Sequence, residues 1–119
     1  LVNNFNSAIK DFKKFNYKKK KSIIKDNNLK VQIQFLENGN NIIELVKPNN
    51  KNIGLLSLLK KKNYAYHFAY KVKNLDKTLV MLKKKFKIIV NPVPAKAFNN
   101  KKVAFLRMKN GFIIELIQS

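Results

Sequence analysis

The 119-residue chain repeats itself at a spacing of about 70 residues, and this repeat restricts the fold more than any other feature. Val2-Asn3-Asn4-Phe5-Asn6-Ser7-Ala8-Ile9 aligns with Val72-Lys73-Asn74-Leu75-Asp76-Lys77-Thr78-Leu79. Both copies continue with apolar residues at helical spacing: Phe5, Ile9 and Phe12 in the first, Leu75, Leu79 and Leu82 in the second. Each then ends in lysines and an aromatic residue, Phe15 or Phe86. The ends of the copies also match. Asn38-Gly39-Asn40-Asn41-Ile42-Ile43-Glu44-Leu45-Val46 parallels Asn110-Gly111-Phe112-Ile113-Ile114-Glu115-Leu116-Ile117, with one residue of slippage in the turn.

An Asn-Gly pair between two apolar runs signals a hairpin, so each copy predicts a strand, a helix and then three strands. In the second copy these elements are expected near 64–72, 75–85, 86–91, 102–108 and 112–118. In the first copy the helix is expected over 5–15 and the strands over 17–25, 30–37 and 41–47. Ile53–Leu59 reads as a short amphipathic linker helix, and Pro92 and Pro94 mark a loop. The expectation is a single α+β domain over 1–119. It comprises a first βαβββ module (1–48), a linker helix region (49–63) and a second βαβββ module (64–119). The first module's opening strand is expected to lie mostly before Leu1.

Composition narrows the chemistry. The absence of cysteine excludes disulfides, thiolate metal sites and cysteine nucleophiles. No apolar run approaches the roughly 18–20 residues of a membrane span, and residues 1–15 do not read as a signal peptide, so a cytoplasmic protein with no membrane partner is expected. Twenty-six basic against six acidic residues give a net charge of +20. A polyanion partner is one reading. All but one of the bases are lysine, however, and Arg107 alone offers the planar fork suited to reading guanine or phosphate. Lysine runs at 18–21, 60–62 and 83–85 sit at the edges of predicted elements, where solvated charge is expected. No specific nucleic-acid partner is predicted, and no aromatic pair is read as a base-stacking strand pattern.

Three residues stand out. Glu44 and Glu115 each interrupt an apolar strand at equivalent points of the repeat. An ionised carboxylate buried in such a strand costs several kcal/mol unless it is paired or binds a cation. His67, the only histidine, lies in a strand with Ala65 and Ala69 on its own face. The alternatives are glutamates turned outward to lysines and a hydrogen-bonded core histidine. If His67 and Glu115 face one cavity, the repeat puts Glu44 there as well, and a second histidine would fall about three residues before Leu1. Two His and two Glu would suit a divalent first-row metal with open positions.

These residues resemble the vicinal oxygen chelate superfamily, the glyoxalase I, bleomycin-resistance and methylmalonyl-CoA epimerase group. Tyr66-His67-Phe68-Ala69-Tyr70-Lys71-Val72 is similar to its second opening strand, and Ile43-Glu44-Leu45-Val46-Lys47-Pro48 to its first-half ligand strand. Lys101–Leu106 with Gly111–Leu116 is similar to its closing hairpin. The resemblance implies paired βαβββ modules forming a half-barrel cleft, and a divalent metal (Zn, Ni, Co or Mn) held by Glu44, His67, Glu115 and the upstream histidine. It implies a metal-dependent isomerase or lyase, with Glu115 moving a proton next to a metal-bound carbonyl or thioester. A thioester or hemithioacetal is the implied substrate class, with Lys96, Lys101 and Lys102 as candidates for its anionic end. A homodimer is expected. Gln32 and Gln34 stand nearest to where epimerases of the family use a second carboxylate, and neither can act as a base. The alternative is a non-enzymatic small-molecule binder of the same fold.

Overall fold

A computed structural model describes residues 1–119, which divide into two compact units, Leu1–Ala65 and Tyr66–Ser119. The first contains α1 (Phe5–Lys13), β1 (Lys18–Lys19), β2 (Ile24–Asp26), β3 (Val31–Asn38), β4 (Asn41–Pro48) and α2 (Ile53–Lys60). The second contains β5 (His67–Val72), α3 (Leu75–Leu82), β6 (Lys87–Ala95), β7 (Lys101–Arg107) and β8 (Ile113–Gln118), with a 3-10 turn at Lys96–Phe98.

The repeat read in the sequence is a repeat of structure. Asn4 and Asn74 have the same job: each side-chain oxygen accepts a backbone N–H three residues ahead, from Ser7 at 3.0 Å and from Lys77 at 2.9 Å. An asparagine cap supplies an acceptor for a donor that the first helical turn leaves unpaired. Beyond the caps, Phe5 and Ile9 of α1 pack on Leu36 and Leu45, while Leu75 and Leu79 of α3 pack on Ala104, Leu106 and Leu116. Full burial of such side chains contributes about 1.5–3 kcal/mol each, so these apolar stripes fix each helix to one face of its sheet.

In the first unit β3 is central. It pairs antiparallel with β1 and β2 along one edge and with β4 along the other. The strand expected over 17–25 is broken. Register passes from Lys19↔Leu36 to Ile24↔Ile33, so four residues on one strand face two on the other. Such a bulge frees backbone groups that need partners. The buried Gln34 amide donates into it, to the carbonyls of Lys21 and of Phe35. Asp26, also buried, closes the β2–β3 turn by accepting from the N–H groups of Asn28 and Leu29 at 2.9 and 3.0 Å. At the β3–β4 hairpin Gly39 takes φ +56°, a conformation that a side chain disfavours.

The second unit is a four-stranded sheet in the order β5-β8-β7-β6, with β5 parallel to β8 and the remaining pairs antiparallel. Parallel strands need a crossover connection, which here comprises α3, β6 and β7. A trace of the same arrangement exists in the first unit, where Val2 N donates to Val46 O at 2.9 Å.

The main departure from the sequence reading is β6. Pro92 and Pro94 read as a loop, yet the strand runs through both to Ala95. It is the edge strand, where proline is tolerated, and Pro92 lies in its irregular stretch between Ile88 and Val93. The helices also stop at Lys13 and Leu82, before the lysine-rich turns, and residues 64–66 fall outside β5. No helix of the chain is long and apolar enough to cross a membrane.

Candidate functional site

The six carboxylate side chains sort themselves by what they touch. Asp11 is exposed and lies 3.6 Å from Lys14. Glu37 pairs with Lys20 at 2.7 Å. Asp26 holds a turn, and Asp76 lies in the first turn of α3, where a negative charge suits the helix dipole. Glu44 and Glu115 remain, the pair singled out by the repeat.

Strand register sets where these two point. Phe105 of β7 pairs with Glu115 of β8, and Phe35 of β3 pairs with Glu44 of β4. Residues directly opposite each other share a face. Their neighbours Leu106, Ile114 and Leu116, like Leu36, Ile43 and Leu45, pack under the helix of their own unit. By alternation each glutamate is on the face turned away from that helix, opposite an equivalent phenylalanine. Glu115 is only 2% exposed, and Glu44 is half-buried. Burial pushes the amine of Leu1 below its ordinary value, and the Glu44 carboxylate works against that shift.

His67 opens β5 on the face that carries Glu115. Ala69 is the register partner of Glu115, and its small side chain leaves the space beside the carboxylate to the imidazole two residues earlier. His67 Nε2 lies 3.3 Å from Glu115 Oε2. The imidazole is flanked by the ring of Tyr66, with centroids 4.3 Å apart, and by that of Phe105 at 5.6 Å. Two buried groups at this distance need positive charge between them. Either His67 donates an N–H to the carboxylate, or both turn lone pairs to a cation. The separation is longer than the about 2.7–2.9 Å of a strong charge-assisted bond. One imidazole nitrogen beside a carboxylate is a donor set that a divalent first-row metal accepts.

The lysines predicted to meet substrate divide by register. All three are exposed. Lys101 shares the alternation of Val103 and Phe105, hence the face of Glu115, whereas Lys102 falls on the face of Ala104 and Leu106 with α3. Lys96 begins the 3-10 turn between β6 and β7. Gln34, considered as a stand-in for a second carboxylate, is committed to the bulge of its own unit. The rings that flank His67 were not foreseen. The offset of 70 residues between Phe35 and Phe105 was visible in the sequence, but it gains meaning only when each phenylalanine is seen opposite its glutamate.

Residues 1–105 match the family model described as the glyoxalase/bleomycin resistance protein/dioxygenase superfamily. No curated protein matches the chain. Among solved structures, a hypothetical protein from Bacillus halodurans is similar at 22% identity and TM-score 0.83, with 99% of this chain and 88% of that one covered. Methylmalonyl-CoA epimerase from Mycobacterium tuberculosis is similar at 18% identity and TM-score 0.82, with 98% and 81% covered. At these identities the likeness is one of fold.

Proposed function

Because the chain belongs to the glyoxalase/bleomycin resistance protein/dioxygenase superfamily, we propose that it is a metal-dependent isomerase or lyase that moves a proton next to a carbonyl or thioester. One observation carries the reading. The two glutamates of the repeat occupy equivalent register positions in the two units, and one of them has the only imidazole of the chain 3.3 Å away. Members of the superfamily generally bind divalent metals, and two carboxylates with one imidazole are donors of the right kind.

In this reading His67, Glu115 and Glu44 hold the ion. When bound, it would polarise an oxygen of the substrate and so make the neighbouring C–H more acidic. The remaining chemistry belongs to the chain. Glu115 takes the proton and returns it. Tyr66 and Phe105 hold the His67 ring from two sides, which keeps its nitrogen directed at Glu115. Lys101, on the Glu115 face, binds the anionic end of a thioester such as a CoA ester, and Lys96 and Lys102 add attraction over a longer range.

The assay is exchange of the substrate's acidic proton with solvent deuterium, followed by NMR. Acyl-CoA thioesters and hemithioacetals are offered to protein supplied with Zn²⁺, Ni²⁺, Co²⁺ or Mn²⁺. Exchange that is lost in Glu115→Gln while ligand is still bound supports the proposal. Binding without exchange in the unaltered chain would instead make it a small-molecule binder. We further propose a homodimer, and sedimentation giving only monomer at micromolar concentration would refute that.

A further inference from the structure

Three aromatic rings of the second unit are exposed. Phe68 is 58% exposed, Tyr70 56% and Phe112 54%. Phe68 and Tyr70 are two apart on β5 and so share a face, about 6.6 Å apart along the strand. Phe112 joins them from the turn before β8, its ring centroid 6.2 Å from that of Phe68 at an angle of 58°. The turn is rigid: Met108 N donates to Phe112 O at 2.9 Å and Gly111 N to Met108 O at 3.0 Å.

The exposure has a geometric cause. Register puts Phe68 and Tyr70 beside Ile114 and Leu116, which α3 covers. A helix about 10–12 Å across spans roughly two strands at about 4.8 Å spacing. β5 is the outermost strand of this sheet, so its rings extend past the helix.

What covers them is indicated by charge. The unit carries twelve lysine and arginine residues against Asp76 and Glu115, and Glu115 is buried. Lys109 sits in the Phe112 turn, and Arg107 pairs with Ile113, the next residue after Phe112. Leu82 and Phe86 pack on the cluster that includes Ile114, which brings the Lys83–Lys85 run to the same end of the unit. A polyanion gains from counterion release at so basic a surface. Each of the three rings exposes more than half of its surface, which suits flat, π-faced partners.

We infer that Phe68, Tyr70 and Phe112 form a platform on which the bases of single-stranded nucleic acid stack, with the surrounding lysines holding its backbone without regard to sequence. This is independent of the metal site, and it departs from the sequence reading, which found no aromatic pair in a base-stacking strand pattern.

The test uses the full chain and fluorescein-labelled oligo(dT) and oligo(U), with a duplex of equal length for comparison, followed by anisotropy at several salt concentrations. Tighter binding to the single strands than to the duplex is expected. Phe68→Ala, Tyr70→Ala and Phe112→Ala combined should weaken single-strand binding at least about tenfold, since each ring–base stack contributes about a factor of ten. Duplex affinity and the salt dependence should stay as they were, because the lysines remain. The ring-preserving set Phe68→Tyr, Tyr70→Phe and Phe112→Tyr should bind like the unaltered chain. Equal affinity for duplex and single strand, or a triple alanine variant that binds single strands unchanged, would overturn the inference. So would a triple variant that loses a dimer in sedimentation while keeping its oligonucleotide affinity, for the rings would then be a self-association face.

Discussion

Glu115 Oε2 and His67 Nε2 lie 3.3 Å apart although the two residues stand two register steps from each other on the parallel pair β5–β8. Contact across that diagonal depends on alanine at 69, directly beside Glu115. Ala69→Leu would fill the space with a branched side chain on the same face. We expect that variant to fold, because position 69 is exposed, and to lose metal affinity at least about tenfold because the imidazole is no longer held in its orientation. Isothermal titration with Co²⁺ measures this.

Glu115→Gln separates a structural from a metal-binding role. Glutamine keeps an oxygen that can accept from His67 while removing the buried charge, so without metal the variant should melt close to the unaltered chain. Added metal should raise the melting temperature of the unaltered chain and leave the variant where it was, by mass action on the folded state. Differential scanning fluorimetry with and without Zn²⁺ distinguishes the two.

Gln34→Ala removes the buried donor to the Lys21 carbonyl in the β1–β2 bulge, while the Phe35 carbonyl keeps the Lys20 N–H at 3.0 Å. The loss should be about 1–3 kcal/mol, read as a lower urea midpoint at constant m-value. Metal affinity should not change, since Gln34 serves the bulge and not the candidate site.

The two helix caps should respond alike because they are copies of one another. Asn4→Ala and Asn74→Ala should each cost about 0.5–2 kcal/mol, while Asn→Asp at either position should cost little. Urea unfolding of the four variants checks the repeat as an energetic fact.

Much of this arrangement could be read from the residues, for identifiable reasons. The helical apolar spacing and the Asn-Gly hairpin are local signals, and their duplication made them legible twice. Glu44 and Glu115 stood out because a carboxylate in an apolar strand is costly. What was hidden depended on neighbours distant in sequence. Pro92 and Pro94 looked like a loop because nothing in the sequence says that β6 is an edge strand. The exposure of Phe68 and Tyr70 was hidden because the width of α3 relative to its sheet is not written in β5. The bulge at 20–23 is unmarked by glycine, and Gln34 shows its purpose only beside the freed carbonyls.

The most direct test of the central claim is metal stoichiometry and affinity by titration with Zn²⁺, Ni²⁺ and Co²⁺ in the unaltered chain and in Glu44→Gln, His67→Ala and Glu115→Gln. We predict about one ion per chain, with each substitution weakening binding at least about tenfold, because each removes a ligand of the same ion. An unaltered chain that binds no ion, or a Glu115→Gln variant that binds it undiminished, would contradict the account.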